Sequence, residues 1–81
     1  MKAGVIRKLA EAHTQDALDA AADALAEGEA ISVEVAGDDD GERLTHLMLA
    51  SRIRTKVDAG TPLKEAFREV MADVRGVISN G

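Results

Sequence analysis

Apolar residues recur at steps of three and four along most of this chain, and at steps of two in one short stretch. Val5, Ile6, Leu9, Ala10 and Ala12 fall among Arg7, Lys8 and Glu11, which is the spacing of an amphipathic helix of about two turns. Thr14 offers a side-chain oxygen as the N-cap of a second helix, whose stripe is Ala17, Leu18, Ala21, Ala22 and Leu25. Gly28 fits its C-terminal stop, since glycine takes the left-handed conformation that ends helices at little steric cost. A stripe so rich in alanine lets the helix approach its neighbour closely while burying little area.

At 31–35 the period changes. Ile31, Val33 and Val35 alternate with Ser32 and Glu34, which is a strand pattern, and no second one occurs in the sequence. A lone strand leaves backbone donors and acceptors unpaired. Two arrangements answer this: an extended arm lying over the helices, or pairing with the same segment of a second chain.

Asp39 followed three residues later by Glu42 has capping-box spacing, and the run Asp38, Asp39, Asp40 suits the positive end of a helix dipole. A long third helix follows, with Leu44, Leu47, Met48, Ser51 and Arg54 on one face and Leu49, Ile53 and Val57 on an adjacent one. That apolar surface is wide enough for two neighbours. Gly60 ends it, and Thr61-Pro62 restarts the chain as an N-cap with proline at the first helical position. The fourth helix has the cleanest stripe, Leu63, Ala66, Phe67, Val70, Met71, Val74, Val77 and Ile78, and is predicted to be the hydrophobic centre.

These elements predict a small all-α domain spanning 1–81, three longer helices plus a short N-terminal one, with an extended or strand-like segment near 31–35. Composition narrows what such a domain does. Fifteen alanines and a single aromatic, Phe67, leave a thin core for 81 residues. No cysteine is present, so disulfides and thiolate chemistry are excluded. A net charge of -5 and the lack of an aromatic platform argue against nucleic acid, whose phosphates demand an excess of Lys and Arg. Arg43, Arg52, Arg54 and Lys56 spread around the third helix and form a solvated face. No signal-peptide core and no transmembrane stretch is present, so the expected location is the cytoplasm, without membrane contact.

Candidate chemistry is sparse. Asp38-Asp39-Asp40-Gly41 invites a calcium reading, but with Gly41 as the turn glycine the last ligand position falls on Leu47, where a glutamate is required. Glu42 and His46 lie four apart on one helix face, a spacing suited to sharing a metal, yet two ligands are too few without His13, an aspartate or a symmetry mate. A surface Glu–His hydrogen bond is the more ordinary role for such a pair. The hydroxyls of Thr14, Ser32, Thr45, Ser51, Thr55, Thr61 and Ser79 sit in no nucleophile elbow, and His13 and His46 are the only histidines available as a general base. An acyl carrier needs a serine in an Asp-Ser-Leu context at the start of its second major helix, and the acidic loop here has none. No cofactor is implied.

The opening Met1-Lys2-Ala3-Gly4-Val5-Ile6-Arg7-Lys8-Leu9 resembles a family of short, uncharacterised bacterial proteins that begin Met-Lys-x-Pro-Val-Ile-Lys or Arg. Glu34-Val35 with Gly37, Gly41-Glu42-Arg43-Leu44-Thr45-His46, Lys64-Glu65-Ala66, and Val74-Arg75 with Ile78-Ser79 are similar to its later segments. Gly4 departs from the usual proline. The resemblance implies a mostly helical single domain and supplies no activity, since none is assigned to the family.

The functional expectation is a non-enzymatic interaction module acting as a homodimer, because the third and fourth helices carry more apolar surface than a thin core absorbs and the strand pattern at 31–35 has no partner in the chain. One alternative is a metal-binding or catalytic site around Glu42 and His46, assembled between chains. A second is an accessory subunit that docks a basic partner through the acidic loop.

Overall fold

The computed structural model describes the backbone of residues 2–80 and the side chains of residues 2–74. Four α-helices lie among the described residues: α1 (Ala3–Ala12), α2 (Gln15–Ala26), α3 (Asp40–Asp58) and α4 (Leu63–Asn80). The chain supplies their ends locally. Thr14 Oγ1 accepts from the Ala17 N–H at 3.1 Å and opens α2. Its far end is a Schellman closure, in which Gly28, at φ 76°, donates to Leu25 O and Glu29 donates to Ala24 O. The same closure ends α3, with Gly60 at φ 112° donating to Val57 O and Thr61 to Lys56 O. Pro62 falls one position earlier than the sequence pattern suggests: its carbonyl accepts from the Ala66 N–H, and α4 begins at Leu63.

Each of α1, α2 and α4 packs on α3. Side-chain bonds give their directions. Lys2 meets His46 and Ala10 meets Arg54, so α1 runs parallel to α3. Asp73 pairs with Arg52 and Glu69 with Lys56, so α4 runs antiparallel to it. The buried core draws Ile6, Leu9 and Ala10 from α1, Leu18 and Ala21 from α2, Leu47, Leu49, Ala50 and Ile53 from α3, and Ala66, Val70 and Met71 from α4.

Two expectations change here. The hydrophobic centre is α3, not α4. A helix that faces one neighbour concentrates its apolar residues in a single clean stripe, as α4 does, whereas a helix covered on several sides spreads them and loses its periodicity. Leu63, Phe67 and Val74 of α4 are only half-buried, while the side chains of Val77 and Ile78 lie outside the described residues.

The second change is at 31–35, where no strand forms: the chain bends at Ser32 and Val33. Among the described residues no other segment offers a ladder partner, so the alternation survives only as burial. Val33 and Val35 enter the core, Ile31 is half-buried, and Ser32 and Glu34 face solvent. The segment is therefore an irregular arm over the helices. Because its apolar side chains are already covered within the chain, pairing with a second copy is not needed to bury them.

Ile53 is fully buried on α3. Ile53→Val removes one methylene without exposing a polar group, and is expected to lower unfolding free energy by about 1 kcal/mol in urea titrations.

Candidate functional site

The start of α3 gathers most of the chain's candidate polar chemistry. Asp39, in extended conformation, is the N-cap, and its Oδ1 accepts from the Glu42 N–H at 2.7 Å. Glu42 Oε1 reaches back to accept from the Asp38 N–H at 3.1 Å. That is a capping box shifted by one residue, since the donor precedes the cap. Asp40 pairs with Arg43 at 3.0 Å. Two of the three loop aspartates thus act on the helix end itself, as the sequence suggests. Gly37 is required for close approach: a Cβ there would come within 2.6 Å of Arg43 Cγ and 3.1 Å of Arg43 N.

Nearly two turns into α3, His46 is fully buried. Its Nε2 lies 3.0 Å from the Lys2 N–H and its Nδ1 lies 2.8 Å from Ala36 O. An amide donor on Nε2 requires that nitrogen to be unprotonated, so Nδ1 carries the proton and donates to the carbonyl. The ring is the neutral Nδ1–H tautomer and ties two segments, the approach to α1 and the end of the 31–36 arm, to α3. This differs from the surface Glu–His bond expected from spacing. As folded, both nitrogens are committed to backbone groups, so a metal at Glu42 and His46 would have to displace one of them. Among the described residues, no group of three or more His, Asp or Glu side chains is placed to hold a metal ion.

The hydroxyls are likewise engaged locally. Of these, Thr45 donates to Gly41 O and Thr55 to Ser51 O within α3, and Thr14 caps α2, while Ser51 donates to Asp19 across the α2–α3 contact. Ser79 lies outside the residues with described side chains. Arg54, read from sequence as part of a solvated face, donates from Nη1 to Ala10 O at 3.3 Å and from Nη2 to Asp58 at 2.8 Å. It satisfies one of the carbonyls left open at the end of α1.

Two surface grooves remain. One, of about 610 Å³, runs between α1 and the arm, with Val5, Leu9 and Val35 on its floor and Lys8, His13 and Glu34 at its edges. The other, of about 520 Å³, runs between α2 and α3, lined by Ala22 and Ala26 on one side, Leu44 and Met48 on the other, and rimmed by Asp19, Asp23 and Arg52. Met48 is 55 % exposed and is the one large apolar side chain so exposed among the described residues. Sequence periodicity did not single it out, because it follows Leu44 and Leu47 on a face that reads as core.

A family of unknown function, DUF6952, matches residues 1–79. No curated protein and no solved structure matches the chain. Among the described residues, no helix is long and apolar enough to cross a membrane.

Two outcomes follow from the α3 start. His46→Ala removes a donor and an acceptor and opens space, so it should cost about 2–4 kcal/mol in chemical denaturation. The second concerns Glu42, whose carboxyl is held below its ordinary value of 4.5 by the Asp38 N–H. A carboxyl lowered by folding stabilises the protein fully above its unfolded value, and that contribution disappears as pH falls through the folded value. The stability difference between wild type and Glu42→Gln should therefore be largest near neutral pH and shrink below 4.5; a constant difference down to acid unfolding would contradict it.

Proposed function

This chain belongs to the DUF6952 family, whose function is unknown, and we propose that it is a non-enzymatic interaction module that works as a homodimer through its α2–α3 groove. The observation that carries this reading is Met48, exposed in an open groove beside the small side chains of Ala22 and Ala26. A two-fold interface needs one patch that is both knob and hole, because the same surface meets itself. Here the knob is the thioether and the hole is the alanine-lined wall. Met48 is already nearly half covered, so burying the rest contributes on the order of 1 kcal/mol per copy, and methionine adapts readily to the surface it meets.

Two motives expected from sequence weigh differently after folding. The wide apolar surface of α3 is divided among three helices of the same chain, and the 31–35 segment buries its own valines. Among the described residues, the one large apolar side chain left mostly exposed for a second copy is Met48, in the α2–α3 groove. The alternative of a metal or catalytic site around Glu42 and His46 has less support, because the imidazole is enclosed and bonded to two backbone groups. Docking of a basic partner on the acidic loop also has less, because Asp39 caps α3 and Asp40 is paired with Arg43.

Sedimentation equilibrium at about 50 μM, above the micromolar range of weak specific interfaces, should give a dimer mass. Met48→Glu should give a monomer with unchanged helical circular dichroism. A wild-type monomer at that concentration would exclude the reading.

A further inference from the structure

The rim of the same groove carries charges that define how two copies can meet. Asp19 and Asp23 lie on the α2 side and Arg52 on the α3 side. Ser51 is level with Asp19, to which it donates a hydrogen bond, while Leu44 and Ala26 share the lining at the other end. The two helices are therefore antiparallel, with Met48 level with Ala22 and Arg52 level with Asp19.

Resting on the homodimer proposed above, we infer that the two-fold axis runs along the α2–α3 groove, setting Arg52 of each copy against Asp19 of the partner subunit and Met48 against the partner's Ala22. An axis along the groove keeps each level and exchanges the helices, so every α3 residue faces α2 of the second copy. Large then meets small, and cation meets carboxylate twice by symmetry. An axis across the groove would instead lay α3 on α3 in reverse and set Arg52 against an apolar Leu44. The four helices of the chosen arrangement alternate in direction, as in an antiparallel four-helix bundle.

The side chains are available for this exchange. Arg52 is paired within its own chain to Asp73 at 3.2 Å, but both groups are more than half exposed, and such pairs hold weakly. Asp19 is exposed and, while it accepts from the Ser51 hydroxyl, has no ion-pair partner among the described residues.

Charge exchange followed by sedimentation velocity over a concentration series tests the arrangement. Arg52→Glu and Asp19→Arg should each raise the dimer dissociation constant by about tenfold or more, since each sets like charges together twice. The combined variant should return to within about threefold of wild type, because the two sites couple directly. Asp73→Asn removes only the partner within the chain and should leave the constant within about threefold of wild type. Thermal melts of each variant show that it is folded. A dimer that both single variants leave intact, or that the combined variant fails to restore, overturns this arrangement while the homodimer stands; a monomeric wild type overturns both.

Discussion

Helix α3 is the surface on which every other helix is stabilised. With one aromatic residue and an alanine-rich α2, no pair of outer helices holds enough large side chains to form a core between themselves. Leu47, Leu49, Ala50 and Ile53 instead face different neighbours around one axis, and the short stripes of α1, α2 and α4 are each completed by that axis. Losses at α3 are felt by three contacts at once. For a domain of this size, where net stability is a small difference between large opposing contributions, that concentrates the risk in one element.

The position of α3 depends on how its first turns are anchored. Asp39 and Glu42 satisfy donors at its start, and Gly37 lets the arm pass close to Arg43. Inside that cap, His46 accepts from the approach to α1 and donates to the end of the arm. The imidazole thus fastens two segments that make few other polar contacts with α3. A buried polar group is costly unless its donors and acceptors are matched, and here both are. The same matching that makes His46 a good structural element removes it from ready use as a ligand or base.

What faces outward follows from what α3 has already covered. The large apolar side chains of α1 and α2 turn inward, and so do Val33 and Val35 of the arm. Met48 stays outside because α2 opposes it with alanine, which leaves a groove where a leucine or isoleucine would have closed the gap. The shortage of large side chains in α2 is thus the physical origin of both the thin core and the proposed contact surface.

The number of helices, their order and most of their ends were legible in the sequence. Caps and closures are local: Thr14, Gly28, Asp39 with Glu42, and Gly60 act on backbone groups within a few residues, whatever the rest of the chain does. The capping role of the acidic loop was legible for the same reason. Tertiary structure alone decided which helix is central, because a stripe reports how many sides of a helix are covered only after the neighbours are known. It also decided that 31–35 is an arm and not a strand, since a strand depends on a partner that this sequence lacks. And it decided that His46 is buried and Met48 exposed, two residues apart on one helix, because an exposure difference over a rotation of about 200° depends on what packs against each side.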